Sequence, residues 1–216
     1  MKVEATRRPY RMVARAESAA ATGARILDTA IEVFWDSPGG QVSLDEVARR
    51  AGVSVQTVIR RFGGRDGLFA AAAERELERV RRQRDTAPVG DVRGAVRVLV
   101  DHYEELGDRA LRLLAEEERA PAMRNVAQRG RAVHREWCAR VFGPALEGAV
   151  GAERRRRLAQ LVAVCDVYTW KLLRRDAGLS RPQTELALVE LLEPLLEGRA
   201  RRRSDPTTPM LDAEPR

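Results

Sequence analysis

The segment from Ser43 to Phe62, SLDEVARRAGVSVQTVIRRF, most constrains the fold, because two short helical patterns in it are joined by one tight turn. Ser43, followed three residues later by Glu46, forms a capping box that predicts a helix start. Gly52 is predicted to end this helix, since glycine adopts the left-handed conformation at little cost. Ser54 can cap a second helix that runs to Phe62. The segment therefore predicts a helix-turn-helix.

The apolar residues of this segment recur at helical spacing, so each helix can bury one face. They are Leu44, Val47, Ala48 and Ala51 in the first helix and Val58 and Phe62 in the second. An upstream stripe is suited to complete a three-helix core; it consists of Ile26, Ala30, Val33 and Phe34. The second helix of a helix-turn-helix enters the major groove of DNA. The alternative is a capped helical hairpin without a DNA role, because fold does not fix function.

Residues 22–75 resemble the DNA-binding domain of the TetR family of bacterial transcriptional repressors. The family's recognition helix follows the pattern Gly-Val-Ser-x-x-Thr-hydrophobic-Tyr-x-His-Phe, and the corresponding sequence here is GVSVQTVIRRF, from Gly52 to Phe62. The run from Arg65 to Leu68 corresponds to the Lys-Glu-x-Leu segment that opens the family's fourth helix. The resemblance covers about a quarter of the chain.

The resemblance implies that eight residues bind DNA: Ser43, Ser54, Val55, Gln56, Thr57, Arg60, Arg61 and Arg65. Ser43 and Thr57 would donate hydrogen bonds to phosphates, and Arg65 would make an ionic contact with another phosphate. Arg61 stands where the family usually has histidine, and it would contact the DNA backbone. A helix start beside Arg65 also favours an anion, because its free amides and partial positive charge point outward.

Three residues of the second helix would face base edges under this resemblance. Glutamine suits adenine, arginine suits guanine and valine can touch a thymine methyl group, which assigns Gln56, Arg60 and Val55. Two residues depart from the family pattern. Ile59 replaces a tyrosine whose hydroxyl binds phosphate, and Gly64 replaces the Ser or Thr cap of the fourth helix.

The charge balance also favours a polyanionic partner, since the 216 residues carry a net charge of +7. Only Lys2 and Lys171 are lysines, so an arginine bias typical of GC-rich genomes contributes to this excess. Residues 1–20 are predicted to be a flexible basic arm, either solvated or laid across phosphates. Residues 201–216 are predicted to be a disordered tail.

The two cysteines, Cys138 and Cys165, are too few for a disulfide framework and have no metal-ligand pattern. We therefore predict no metal and no cofactor. The sequence contains neither a signal-peptide core nor an apolar segment of membrane-spanning length. These features predict a cytoplasmic protein without a membrane partner.

Beyond the fourth helix the apolar periodicity stays helical, which predicts an all-α fold. We predict a DNA-binding domain with its connecting fourth helix over residues 21–84. Residues 85–200 are predicted to form a helical effector-binding and dimerisation domain.

The last two long helical segments are apolar over much of their circumference, more than a one-sided surface helix needs. In the TetR family the corresponding helices pair with a second subunit. The predicted dimer contacts are Leu161, Tyr168, Leu172, Leu188, Leu192 and Leu195. Two-fold pairing would set two recognition helices about 34–36 Å apart, at successive major grooves. The alternative is burial within one chain.

Most polar-tipped aromatic residues of this domain fall on its apolar stripes, which suggests a pocket for an apolar or aromatic small molecule. The predicted pocket residues are Leu99, His102, Tyr103, His134, Trp137, Cys138, Cys165 and Trp170. Each of them alone is more typical of a packed core.

The sequence thus predicts a homodimeric repressor that a small effector releases from double-stranded operator DNA. A helical interaction module without DNA binding is the alternative. Enzymatic activity is the least favoured reading, because a Cys-His nucleophile pair is conceivable but no phosphate-binding loop or hydrolase motif is present.

Overall fold

The computed structural model describes residues 7–36, 43–118 and 121–204, and the side chains of residues 17–36, 43–118 and 121–197. Every regular element within these ranges is helical, which confirms the predicted all-α class. The N-terminal helices are α1 (Arg7–Asp36), α2 (Leu44–Ala51), α3 (Val55–Phe62) and α4 (Arg65–Asp85). The later helices are α5 (Val92–Glu116), α6 (Pro121–Val141), α7 (Gly143–Leu146), α8 (Gly151–Val164), α9 (Val167–Lys171) and α10 (Arg181–Ser204). A π-helical turn, Leu172–Asp176, continues α9.

The chain divides into two compact units, which are described separately. The first contains the residues up to 80 together with 113–127, and the second contains residues 81–112 and those from 128 onward. The predicted division into residues 21–84 and 85–200 concerns function, and it remains a prediction.

The first unit is built around the apolar faces that the sequence predicts for α1, α2 and α3. Its buried core consists of Ile26, Ala30, Val33, Val47, Ala48, Ala51, Val58, Leu68 and Ala72. Arg25 of α1 donates a hydrogen bond of 2.9 Å from Nε to the Ala51 carbonyl oxygen, which satisfies a free acceptor at the end of α2. Arg75 of α4 binds both carboxylate oxygens of Asp28 at 2.9 and 3.0 Å. These contacts fix α2 and α4 on the long first helix.

In the second unit α8 packs against α10, and α5 contributes a long buried face. Its largest fully buried side chains are Leu99, Val96, Val100, Leu146, Trp170, Leu188 and Leu192. Arg174, in the π-helical turn, binds Glu104 of α5 at 2.7 Å. No helix in the described ranges is long and apolar enough to cross a membrane.

The two chain ends differ from the sequence prediction. Helix α1 begins at Arg7, within the predicted flexible arm of residues 1–20. The alanine- and arginine-rich composition explains this extension, since both residues have high helix propensity. Helix α10 continues to Ser204, and the rest of the predicted tail lies outside the described residues.

Candidate functional site

The turn between α2 and α3 is fixed by its caps. The Ser43 hydroxyl accepts a hydrogen bond from the Glu46 amide at 3.4 Å, and the Ser54 hydroxyl accepts one from the Thr57 amide at 3.2 Å. Gly52 has φ 64°, the left-handed conformation expected at the end of α2. The Val53 amide donates to the Ala48 carbonyl oxygen at 3.0 Å, which closes the turn. The two helices therefore meet in the geometry that their sequence predicts.

Helix α3 is held by one face and exposed on the other. Val58 is fully buried, and Val55 packs half-buried against the core of the first unit. Gln56, Arg60 and Arg61 are exposed. The predicted base-contacting face thus contains two strongly exposed residues, Gln56 and Arg60, while only part of Val55 remains accessible.

The hydroxyl groups predicted to hold phosphates are already connected to each other. Ser54 Oγ and Thr57 Oγ1 lie 2.8 Å apart, and either can be the donor. One hydroxyl hydrogen is used in this contact, so one remains available for a phosphate oxygen. Ser43, at the start of α2, is exposed.

Two further arginines border α3. The guanidinium of Arg61 lies so close to Gly23 of α1 that a β-carbon added at Gly23 would overlap it. This contact positions Arg61 along α1, beside the exposed face of α3. Arg65 is exposed in the first turn of α4, and Gly64 before it has φ 114°. The positive charge of Arg65 adds to the partial positive charge of the helix start.

The sequence analysis missed an ion-pair cluster on α2. Glu46 binds Arg49 at 2.7 Å and Arg50 at 2.6 Å, and Arg50 also binds Asp36 of α1 at 2.7 Å. Hydrogen bonds from Arg49 and then Arg50 lower the pKa of Glu46 from 4.5 to about 2. The sequence signal for this cluster is that Arg49 and Arg50 follow Glu46 by three and four residues, the spacing at which side chains on a helix meet.

The structure brings the predicted pocket residues together in the second unit as a buried cluster. All eight are buried: Leu99, His102, Tyr103, His134, Trp137, Cys138, Cys165 and Trp170. Tyr103 donates its hydroxyl hydrogen to the Cys165 carbonyl oxygen at 2.9 Å. The Nδ1 atom of His102 lies 3.1 Å from the side-chain oxygen of Gln83. These polar tips are satisfied by neighbouring groups of the same unit.

Arg84, near the end of α4, joins this cluster and was missed by the sequence analysis. Its side chain is only 4% exposed. Its guanidinium carbon lies 5.2 Å from the Tyr103 ring centre and 5.3 Å from that of Trp137, in cation–π geometry. The Trp137 indole donates to the Arg84 carbonyl oxygen at 2.9 Å. The sequence did contain a signal for this burial. Arg84 follows Leu77 by seven residues, about two helical turns, so both lie on one face of α4.

The first unit contains an apolar cavity of about 90 Å³. Its aromatic lining consists of Phe34, Trp35 and Phe69, and the other lining residues are aliphatic apart from Glu76. The volume is below the roughly 150 Å³ of an engineered cavity that binds benzene.

The six predicted dimer contacts divide into two groups. Leu161, Leu188 and Leu192 are buried within the chain, so they belong to its own core and are not available to a second copy. Tyr168 and Leu172 are 52% and 59% exposed, and Leu195 is half-buried. In the sequence, apolar residues continue at helical spacing from Leu158 to Leu172. A new helix begins there instead, because the Asp166 side chain accepts a hydrogen bond of 2.9 Å from the Tyr168 amide. The break between the two helices turns Tyr168 outward.

Two exposed leucines were outside the predicted dimer set. Leu186 and Leu191 of α10 are 49% and 47% exposed. Among the residues covered by the structure, no three His, Cys, Asp or Glu side chains are grouped closely enough to hold a metal ion.

Comparison with known proteins supports the N-terminal assignment. Residues 26–72 match the family model described as bacterial regulatory proteins, tetR family. This match contains α2, α3 and the start of α4. None of the curated protein sequences matches the chain.

Solved structures share the fold over most of the chain. A transcriptional regulator from Rhodococcus sp. Rha1 is 22% identical, with a TM-score of 0.60 over 82% of this chain and 96% of that one. A protein from Mesorhizobium loti MAFF303099, described as a TetR-family transcriptional regulator, is 15% identical, with a TM-score of 0.57 over 83% and 97% of the two chains. At these identities the likeness establishes the fold.

Proposed function

Through its helix-turn-helix domain this chain belongs to the TetR family of bacterial transcriptional regulators, and we propose that it acts as a homodimeric repressor that a small effector releases from operator DNA. The exposed face of α3 carries this proposal. Gln56 and Arg60 are exposed on one side of α3, and Val58 on the other side is buried in the core. A rigid helix presenting amide and guanidinium groups is suited to read base edges in a major groove. The proposed place of action is the cytoplasm, where bacterial DNA lies.

The phosphate contacts are proposed on both sides of α3. Ser43 starts α2, the hydroxyls of Ser54 and Thr57 lie at the start of α3, and Arg65 starts α4. Each position combines a hydrogen-bond donor with the free amides of a helix start. Arg61, lying over Gly23, is proposed as a further backbone contact.

A second copy is proposed to pair through the last helices of the chain. Tyr168, Leu172, Leu186 and Leu191 are exposed large apolar side chains on α9, the following turn and α10. Most other apolar side chains of these elements are buried or half-buried. Pairing would remove the exposed ones from water and supply the second recognition helix that a two-fold operator requires.

The effector is proposed to be a small apolar or aromatic molecule that binds at the buried cluster of the second unit. The support is the clustering of Tyr103, Trp137 and Trp170 with two histidines in one buried region. Aromatic walls with a few polar groups are typical of small-molecule sites. The effector would act only through a different affinity for the DNA-bound and free arrangements.

Arginine substitutions in α3 and at the start of α4 test the DNA-binding role. Arg60→Ala is expected to weaken operator binding by about 1–3 kcal/mol and to relax base preference at one operator position. Arg65→Ala is expected to weaken binding to all sequences similarly and to reduce the salt dependence, because it removes a phosphate contact. Fluorescence anisotropy with genomic fragments selected by the purified protein, over a salt series, measures both effects.

Arg97→Ala is the matched control, since Arg97 is an exposed arginine of α5 in the second unit. It should leave DNA affinity unchanged. Unaltered binding in both Arg60→Ala and Arg65→Ala would contradict the residue assignments. If the parent protein itself shows no salt-dependent binding to any duplex, the alternative of a helical interaction module replaces the proposal.

A further inference from the structure

Arg84, in the last turn of α4, is a buried cation whose described partners are all neutral. Its guanidinium lies over the rings of Tyr103 and Trp137, 5.2 and 5.3 Å from their centres. Its Nη1 atom lies 2.7 Å from His134 Nδ1. Because a guanidinium can only donate, His134 accepts here and carries its single ring proton on Nε2. No ion pair among the described residues includes Arg84.

The unsatisfied donors of the structure point to the same side chain. Within the described ranges, two buried side-chain nitrogen or oxygen atoms have no hydrogen-bond partner, Arg84 Nε and Trp170 Nε1. Trp170 lies near the carboxylate of Glu104, which Arg174 binds at 2.7 Å. Arg84 has no carboxylate among its described contacts. A buried donor without an acceptor costs free energy, and a buried charge without an opposite charge costs more. The Nε side of Arg84 therefore lacks both an acceptor and a negative charge.

The surroundings of this guanidinium indicate the chemistry of the missing partner. A carboxylate supplies the negative charge and can accept two parallel hydrogen bonds from one guanidinium. Tyr103 and Trp137 provide aromatic surface on Arg84, and the Trp170 ring centre lies 5.8 Å from that of Tyr103. An inorganic anion would lose its water here without packing against these rings. An aromatic acid brings a ring of its own, which packs favourably against such surface.

We propose that the effector is a small aromatic carboxylic acid, bound as its carboxylate to the unpaired side of Arg84 with its ring among the aromatic residues of the buried cluster. This inference rests on the proposed function, because it names the chemical class of the effector at that same site. The bound acid neutralises Arg84 at the end of α4, the helix that carries Arg65 in its first turn. Binding thus changes the charge balance on the helix that supplies a proposed phosphate contact.

The chain segment next to Arg84 offers a route of entry. The connection from α4 to α5 consists of residues 86–91, and all of them except Ala87 are exposed. Arg140 holds this end of α4 by donating to the carbonyl oxygens of Arg84 and Ala87 at 3.1 and 3.4 Å. Segments with few buried side chains open locally at low cost in free energy. We expect the acid to reach Arg84 when this connection opens.

Calorimetric titration of the full-length protein tests the proposal without any variant. The probes are benzoate and benzamide, which share a ring but differ in charge. We expect benzoate to bind at least about tenfold more tightly, since hydrogen bonds between charged groups are stronger than neutral ones. Equal affinity for the two probes, or no benzoate binding at millimolar concentration, would overturn the proposal. Acetate binding as tightly as benzoate would refute the role of the aromatic ring.

Arg84→Met tests the assigned residue, because methionine keeps an apolar side chain of similar reach and removes the charge. The variant should lose the preference for benzoate over benzamide. Arg97→Met is the matched control, since Arg97 is an exposed arginine of α5 in the same unit. It should retain the full preference. An Arg84→Met protein that still prefers benzoate as strongly as the parent would place the anion site elsewhere.

Thermal unfolding separates a ligand-binding arginine from one whose charge the fold already compensates. Replacing a buried ion by an apolar side chain of similar volume is often neutral or stabilising. We therefore expect unliganded Arg84→Met to unfold at the temperature of the parent or above it. Benzoate should raise the unfolding temperature of the parent and not that of the variant. A variant that unfolds well below the parent would show a compensated charge and remove the basis of the inference.

Operator binding with and without benzoate gives the last readout. We expect saturating benzoate to weaken operator binding by the parent about tenfold, within the usual range of allosteric coupling, and to leave Arg84→Met unaffected. Benzoate binding without a change in operator affinity would refute the effector role of the acid. A parent that binds its operator but not benzoate would refute this inference alone. Absence of DNA binding in the unliganded parent would instead refute the proposed function.

Discussion

Gly67, in the first turn of α4, lies so close to the backbone of Phe62 that an added β-carbon would overlap the carbonyl oxygen. A backbone atom cannot rotate away as a side chain can, so α4 would have to shift. We predict that Gly67→Ala destabilises the protein by about 1–3 kcal/mol, the usual cost of overpacking. Urea unfolding followed by circular dichroism measures this free energy.

Gly130→Ala is the control for the glycine substitution. Gly130 lies inside α6, and nothing approaches an added β-carbon within 4 Å. It should stabilise the protein by about 0.5–1 kcal/mol, because alanine is the better helix former. A Gly67→Ala variant as stable as the parent would show that the start of α4 adjusts freely.

The carboxylate of Glu46 gives a pH-dependent prediction. Arg49 and Arg50 lower its pKa in the folded chain from 4.5 to about 2. A lowered folded pKa means that the stabilisation is complete above pH 4.5 and is lost as the pH falls toward 2. We predict that the stability difference between the parent and Glu46→Gln is largest above pH 5 and vanishes near pH 2.

Thermal unfolding over this pH range measures the Glu46 difference. Asp45→Asn is the matched control, because Asp45 is an exposed carboxylate of the same helix outside the ion-pair cluster. Its difference from the parent should change much less with pH. A Glu46→Gln difference that stays constant from pH 7 to pH 2 would refute the ion-pair account.

Single residues were predictable where a local rule fixes them. Ser43 and Ser54 cap helices as expected, since a cap needs only its own neighbours in sequence. Arg84 was not predicted, because its burial depends on Tyr103 and Trp137 from two other helices. No local rule indicates that an arginine will enter a core, and arginine is usually exposed.

At the scale of the element, α3 depends on its cap for stability and on its hydroxyls for the proposed phosphate contact. Ser54→Ala removes the hydrogen bond to the Thr57 amide, and we predict a loss of about 1 kcal/mol in unfolding free energy. Ser54→Asp keeps a capping oxygen and should retain most of that stability. It also introduces a negative charge, which should weaken DNA binding more than Ser54→Ala does.

Urea unfolding and anisotropy on the same three proteins separate these two roles. If Ser54→Asp binds DNA as well as the parent, the start of α3 lies away from the phosphates. If Ser54→Ala is fully stable, the cap contributes nothing measurable.

Helix boundaries were predictable only where a local residue signal, such as a glycine at the helix end, marks them. Helices α2 and α3 end at Gly52 and Gly63, both in the left-handed conformation. The break at Cys165 and Asp166 was missed, because apolar residues continue at helical spacing across it. A periodic stripe shows which residues are apolar but not where a new helix start rotates the face. Leu161 therefore lies inside the chain while Tyr168 and Leu172 face outward.

At the scale of the whole molecule, the sequence predicted the fold class and the N-terminal domain, because both follow from periodicity and one strong motif. The predicted pocket residues do meet, yet they pack against one another and around Arg84. Which apolar face remains exposed is a property of the assembled chain. It follows from the packing of α8 against α10, and periodicity alone does not reveal it.

The exposed leucines of the last elements make the oligomeric state testable. We predict that Leu172→Glu combined with Leu191→Glu converts a dimer to a monomer, because two charges would have to be buried without partners at the interface. Val89→Glu is the control, since Val89 is 56% exposed but precedes α5, far in sequence from these elements. Sedimentation equilibrium should find the control dimeric and the double variant monomeric. The double variant should also lose most of its operator affinity, because one helix-turn-helix reads only half of a two-fold site. A dimeric double variant would place the interface elsewhere on the chain, and a monomeric parent would exclude the proposed dimer.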